Sequence, residues 1–251
     1  AGLASYPIRE SIAALIGAYH AEMKELANMS AEQVNSDFSE RVTFDTGAMA
    51  WQPSPVAGVW RKRLELSGPV ESGRVTSLVR FDPGAQFPAH DHPEGEEILV
   101  LDGTFSDEFG SYPKGTFLLN PDGSQHTPYS EDGCLLFVKL RQFPGTGREP
   151  VQVNTLIASW TGTGISGVSQ LRLHQDKASG EQISLYRVVP GCEVAEHTHP
   201  GGEEIFILEG SLEDQYGRYE EGCWGRSPAG SHHWAKSETG CLFYGKLGHL
   251  S

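Results

Sequence analysis

Two stretches of this 251-residue chain crowd ligand-type side chains together: His90-Asp-His92-Pro-Glu-Gly-Glu96-Glu97 and His197-Thr-His199-Pro-Gly-Gly-Glu203-Glu204. Each is followed, at the same distance, by a third histidine, His126 after the first and His233 after the second. Side chains two apart in a strand point to one face, so His90 with His92, and His197 with His199, each present two imidazoles together. A carboxylate follows the turn marked by Pro93 and Gly95, and the third histidine arrives on another strand after Pro121-Asp-Gly123. Imidazoles with one carboxylate suit a divalent transition metal (Zn, Fe, Mn, Ni or Co), one in each half of the chain. One carboxylate against a doubly charged ion leaves about one positive charge, which favours an anionic ligand, hydroxide or enolate in any open position. The doubled glutamates leave a choice. With period two, Glu96 shares a face with Ile98 and Val100, and Glu97 with Leu99 and Leu101, so apolarity does not decide between them.

The two stretches belong to a longer internal repeat. His197 follows His90 by 107 residues, and the same offset links Gly84 with Gly191, Glu96 with Glu203, Gly103 with Gly210, His126 with His233 and Lys139 with Lys246. Upstream the offset is 109, linking Trp51 with Trp160, Gly58 with Gly167 and Arg63 with Arg172. The first copy therefore carries two extra residues between Leu64 and Gly73. A period near a hundred residues describes two domains, joined by the Pro/Gly-rich Gln142 to Pro150, and not a solenoid.

Short apolar runs bounded by Gly, Pro, Asp and Asn fill both copies, for example Val75 to Phe81, Glu97 to Leu101, Thr116 to Leu119 and Cys134 to Leu140. They predict an all-β barrel or sandwich. Residues 1–41 read differently. Ile8, Ile12, Leu15, Ile16, Tyr19, Met23 and Leu26 recur at helical spacing, and Ser30-Ala-Glu-Gln33 has the form of a capping box opening a short second helix with Val34 and Phe38. This segment is expected to pack on its own barrel or on the twin subunit of a homodimer, the sharper alternative being a partner-recognition helix. The division is thus 1–41 helical segment, 42–146 first barrel and 147–251 second barrel.

A net charge of -14 repels phosphate backbones and anionic lipid, which argues against nucleic acid and membrane partners. No apolar run reaches the roughly 18 residues of a membrane span. Four cysteines form no Cys-x-x-Cys pair and no disulfide framework; Cys134 and Cys241 share the repeat offset and read as small core residues. With no secretory signal pattern in the sequence, a reducing cytoplasmic location is the expectation. His20, His174 and His249 have no counterparts and are expected to be incidental or on the surface. His232 should face away from its neighbour His233 and not act as a ligand.

The spacings Gly84–His90–His92–Glu96–Gly103 and Gly115–Pro121–Gly123–His126, repeated at Gly191–His197–His199–Glu203–Gly210 and Gly222–Pro228–Gly230–His233, resemble the two motifs of the cupins, G-x5-H-x-H-x3,4-E-x6-G and G-x5-P-x-G-x2-H. That resemblance implies tandem double-stranded β-helix (jelly-roll) barrels. It selects Glu96 and Glu203 by their distance to the downstream glycine, so the implied metal ligands are His90, His92, Glu96 and His126, and His197, His199, Glu203 and His233. Glu96-Glu-Ile-Leu-Val-Leu-Asp-Gly103, Phe105 to Thr116 and Gly133 to Arg141 are similar to the cupin domain of ChrR-type anti-sigma factors, and more distantly to acetylacetone-cleaving dioxygenases. The ChrR pattern also implies a preceding zinc domain with a Cys-x-x-Cys. Residues 1–41 contain no cysteine, which counts against a sigma factor as partner. The leading expectation is a mononuclear metalloenzyme, dioxygenase- or oxidase-like, acting on a small oxygen-rich molecule, with no catalytic residue assigned beyond the ligands. The alternative is a ChrR-like sensory or regulatory metal-binding protein.

If the glycine spacing has chosen correctly, Glu96→Gln weakens metal binding far more than Glu97→Gln, and His90→Ala and His197→Ala each remove about one metal per chain independently. Metal analysis of the purified variants checks both; a stronger effect at Glu97 would reverse the ligand assignment.

Overall fold

The computed structural model describes residues 33–143 and 147–250. Over this span the chain is nearly all strand, with a single helical turn, Thr46–Ala48. The helix expected over Ile8 to Leu26, and His20 with it, lies outside the described residues. The second short helix is not formed in the part that is described. Val34 instead exchanges both backbone hydrogen bonds with Leu66, at 3.0 and 2.8 Å, and Asn35 turns the chain with a φ of 47°. An edge strand offering a donor and an acceptor satisfies these groups better than a marginal helix would. Phe38 lies under the Arg74 and Arg226 guanidiniums, 4.5 and 4.4 Å from its ring centre.

Each repeat folds into two antiparallel sheets that curl round a core, and the first adds a separate two-stranded pair, His90–His92 with Ser124–His126. In the first, the main sheet runs through Thr116–Asn120, Glu96–Asp107, Cys134–Leu140, Arg74–Phe81 and Val59–Ser67 in that spatial order. The second uses Cys223–Ser227, Glu203–Asp214, Cys241–Leu247, Gln182–Val188 and Val168–Gln175 in the same order. The strands at the far edges are exchanged. Val42–Asp45 pairs with Cys223–Ser227 of the second barrel, and Val151–Asn154 pairs with Thr116–Asn120 of the first.

The twelve-residue strands Glu96–Asp107 and Glu203–Asp214 carry most of the architecture. Each bulges against its Cys134 or Cys241 partner strand, and each then turns at a glycine, Gly103 (φ 70°) or Gly210 (φ 73°). A β-carbon there would stand 2.1 Å from the carbonyl oxygen of Gly133 or Gly240, so no other residue fits. The bend lets one strand serve both sheets. Cys134 and Cys241 are buried and unbridged, as core residues should be.

Leu99, Phe117 and Phe137 of one barrel share a single buried cluster with Phe206, Trp224 and Tyr244 of the other. Phe137 stacks on Phe206 with centroids 5.1 Å apart and meets Tyr244 edge-on at the same distance. Reciprocal ion pairs cross this apolar layer. Lys139 Nζ donates to Glu204 at 2.6 Å, and Lys246 Nζ donates to Glu97 at 2.6 Å. All four side chains are almost completely buried. Glu204 also accepts from Trp224 Nε1 at 2.8 Å and faces His249 Nε2 at 3.2 Å. His249, expected on the surface, is therefore sealed inside: its side chain is 2% exposed, because a buried carboxylate from a distant strand recruits it. His174 is likewise half-buried, not free on the surface.

Burial alone would raise the Glu204 carboxyl, but Lys139 and His249 outweigh it and hold it well below its ordinary 4.5. Lys246 is raised despite its burial, because Glu97 and Glu181 both face it; Lys139, with Glu204 as its close partner, stays lowered by burial. A carboxyl depressed in the folded state stabilises it fully above 4.5 and loses that contribution as pH falls through the lower native value. Glu204→Gln is expected to cost about 3–5 kcal/mol at neutral pH, by stranding Lys139, and to flatten the acid limb below pH 4.5. Glu97→Gln should cost less, since Lys246 keeps Glu181. Urea unfolding from pH 7 to pH 3 reads both effects.

Candidate metal centres

In the first barrel His90–His92 pairs with Ser124–His126, placing His126 directly opposite His90. The ring centroids of His90, His92 and His126 lie 4.7 to 5.1 Å apart. In the second barrel His197 stands opposite His233, and the three rings are 4.7 to 5.0 Å apart. Each trio brings its ligand atoms within 4.8 Å of one another. The neighbouring carboxylate completes each group. Glu96 Oε2 lies 3.4 Å from His92 Nε2 and 3.7 Å from His126 Nε2. Glu203 Oε2 lies 3.5 Å from His199 Nε2 and 3.4 Å from His233 Nε2. All eight residues singled out in the sequence thus converge in two clusters, whereas Glu97 and Glu204 point away into the interface. His232 faces outward, 61% exposed, beside Glu196.

The backbone and nearby acids fix which nitrogen faces inward for two rings of each trio. His90 Nδ1 donates to the Pro88 carbonyl and His197 Nδ1 to that of Ala195, both at 2.9 Å. His126 Nδ1 donates to Asp107 at 3.2 Å, and His233 Nδ1 to Asp214 at 3.1 Å. With the proton on Nδ1, the Nε2 lone pair is left pointing into the cluster. Asp107 and Asp214 are themselves held by Tyr112 and Tyr219 hydroxyls and by the two amides of the following turn. Those contacts and His233 keep the Asp214 carboxyl low in spite of its burial. Asn120 Nδ2 donates to Glu96 at 2.8 Å and sets its orientation. One bent strand supplies both Glu96 and Asp107. Straight, its eleven steps would span about 36 Å, yet its two ends touch opposite nitrogens of the one His126 ring.

These donor sets fit a divalent cation. His92 Nε2 is buried and has no hydrogen-bond partner among the described residues. Burial, with His90 and Arg141 nearby, pushes the His92 imidazole down to about 4, so it is neutral and its lone pair is free to coordinate. Burial raises the Glu96 carboxyl, a cost that a cation between it and the histidines would offset. His199 Nε2 and His233 Nε2 face each other at 3.0 Å; ligands about 2.0–2.2 Å from a shared ion lie about 3–4 Å apart.

The clusters differ in what adjoins them. A cavity of about 300 Å³ inside the first barrel reaches His90, Glu96 and His126 and is walled by Val79, Phe87, Ile98 and Leu136, with Arg61, Arg63 and Arg141 also lining it. A second cavity, of about 560 Å³, adjoins His92 and His126 and is lined also by Phe109, Tyr112 and Gln125. Beside Glu203 and His233, a cavity measures only about 10 Å³.

Tandem barrels, each with such a cluster, make the molecule a bicupin. The chain belongs to the ChrR Cupin-like domain family, which matches residues 39–144 and again 148–251. No curated protein matches the sequence. Among solved structures it is similar to a protein of Nostoc punctiforme described as a "putative dioxygenase", at TM-score 0.71 and 16% identity over 84% of each chain. A deletion mutant of Bacillus subtilis oxalate decarboxylase superposes at TM-score 0.58 and 16% identity, covering 87% of this chain and 80% of the other. A cupin 2 conserved barrel domain protein from Leptotrichia buccalis gives 0.57 and 12%, over 86% and 99%. At these identities the likeness is one of fold. No helix among the described residues is long and apolar enough to cross a membrane.

Asp107, Asp214 and Asn120 are not among the residues that the two sequence motifs specify. The two aspartates share the 107-residue offset, as do Tyr112 and Tyr219, so the repeat itself held that signal. Asp107→Asn and Asp214→Asn are each expected to weaken metal binding about 10- to 100-fold at one site only, by releasing the histidine ring. Competition against a chelator, read as two separate affinities per chain, tests this.

Proposed function

We propose that this bicupin is a mononuclear metalloenzyme of dioxygenase or oxidase type, acting on a small oxygen-rich molecule at the centre of the first barrel. The observation that carries this reading is the cavity: His90, Glu96 and His126 line a 300 Å³ chamber large enough for a small organic molecule. A divalent metal held by His90, His92, Glu96 and His126 would supply Lewis acidity and a template for a substrate with two adjacent oxygens. Glu96 contributes the single negative charge of the ligand set, and Asn120 keeps it aimed at the histidines. Asp107 locks the His126 ring, so the site is built before substrate arrives. Val79, Phe87 and Ile98 wall the chamber beside Glu96, an apolar lining that would strengthen charge interactions once a substrate fills it.

The family match favours a second reading, a ChrR-like metal-binding sensor whose partner contact responds to a bound ligand. Metal content and O2 uptake separate the two. With Fe, Mn, Ni or Co loaded, the chain should consume O2 in the presence of a β-diketone or flavonol, and His90→Ala should abolish the uptake. Absence of turnover with all four metals would favour the sensor.

A further inference from the structure

The barrels share ligands but not interiors. Their strand registers are equivalent, so outside the turn with two extra residues the strand positions that line one barrel have counterparts in the other. Val79 sits opposite Leu136 in the first barrel; the matching pair in the second is Tyr186 opposite Phe243. Those two rings stack at 5.2 Å, and Tyr186 accepts a hydrogen bond from Gln182 at 2.7 Å. Gly245 lies against the Tyr186 ring, where a β-carbon would come within 2.8 Å; its counterpart in the first barrel is Val138. The second interior is thus plugged by an aromatic stack for which the backbone makes room, and the first has aliphatic walls with space between them.

The cations differ as well. In the first barrel Arg61 donates to Glu71 at 2.8 Å and Arg63 donates to the other oxygen of the same carboxylate at 3.2 Å. Glu71 lies in the hairpin turn between Ser67 and Arg74, where the two extra residues of the first repeat are found, and its side chain is 40% exposed. Arg61 and Arg63 are mostly buried, at 17% and 14%. Arg141 also borders the chamber, whose described lining includes the carboxylates Glu71, Asp91 and Glu96. In the second barrel the Arg61 position holds Gln170. The lone Arg172 is bound instead by the neutral side chains of Gln175, Gln182 and Gln170.

We infer that the first barrel alone takes substrate, and that the substrate is a small organic carboxylate with an apolar body. Its carboxylate displaces Glu71 from Arg61 and Arg63, its body lies along Val79 and Leu136, and its far end reaches His90 and His126. Glu71 shows the chemistry that the arginine pair accepts: one planar carboxylate shared between two forks. A surface side chain in a turn exchanges with solvent readily, and a ligand that also fills the apolar chamber outcompetes it. The second centre, closed by Tyr186 and Phe243, holds its ion without admitting an organic molecule. This inference rests on the metal-centre reading above and adds to it the substrate class and the barrel.

The test uses the full chain loaded with Co(II) and titrated with 4,6-dioxoheptanoate, which carries a carboxylate at one end and a β-diketone at the other, or with its methyl ester, followed by calorimetry and by the cobalt absorption bands. The acid should bind one equivalent per chain with a spectral change, and the ester should bind about tenfold or more weakly. Arg61→Gln should remove that preference, leaving the ester unaffected. Glu71→Ala should tighten the acid about threefold or more by removing the competing carboxylate, an effect of opposite sign that no merely structural role produces. Val79→Tyr should abolish binding while two cobalt ions remain. Two equivalents per chain, equal binding of acid and ester, unchanged binding by Val79→Tyr, or no binding by the parent chain at about 10 mM would each overturn the inference. One-site binding without any O2 uptake would instead reject the enzymatic reading and leave this one standing. Repeating the calorimetry on the metal-free chain, where the Arg61 and Val79 effects should persist at lower affinity, makes failure to hold cobalt count against the metal reading alone.

Discussion

A carboxylate taken out of water needs a cation or a set of donors to meet it, and this chain buries two adjacent carboxylates in each repeat. Period two in the strand sends them to opposite faces. Glu97 crosses to Lys246 of the other barrel and Glu204 crosses to Lys139, while Glu96 and Glu203 are left facing the histidines. The interface and the two clusters are therefore consequences of one alternation. A slip of one residue would place Glu97 among the imidazoles and leave both interface lysines without their partners. The register that joins the barrels is the register that builds the sites.

Identical candidate ligands do not have identical surroundings. Both trios have two of their three Nδ1 atoms anchored, both have an aspartate behind the third histidine, and both have the glutamate within reach. What separates them is packing several ångströms away: valine and leucine against tyrosine and phenylalanine, and valine against the glycine that accommodates the ring. Close-packed interiors turn such exchanges into the presence or absence of a chamber.

The sites were legible because their residues are tied to glycines and prolines that the backbone cannot replace. Gly103 and Gly210 mark the bend, and the cupin motif counted back from them separated Glu96 from Glu97, which apolarity could not do. Strands such as Cys134–Leu140 were equally plain from their composition. What was not legible came from contacts between distant segments. His249 looked solitary in the sequence because Glu204, its partner, is 45 residues away; Val34 looked helical because its hydrogen-bond partner is Leu66. The plug of the second barrel was hidden for another reason. Matches between the copies reveal the scaffold, and only the mismatches, Tyr186 for Val79 and Gln170 for Arg61, distinguish what each half does.

The exchanged edge strands bear on how this molecule came to have two halves. Val42–Asp45 completes the sheet of the barrel that follows it by more than a hundred residues, and Val151–Asn154 completes the sheet of the barrel already made. A repeat standing alone would lend its first strand and receive none, so its natural complement is a second copy doing the same. Tethering the copies in one polypeptide converts that mutual loan from a concentration-dependent event into an intramolecular one. It also frees the partners from being identical. Two chains encoded by one gene must change together, whereas two halves of one chain can keep the embrace and divide the labour, one remaining hollow and the other filled.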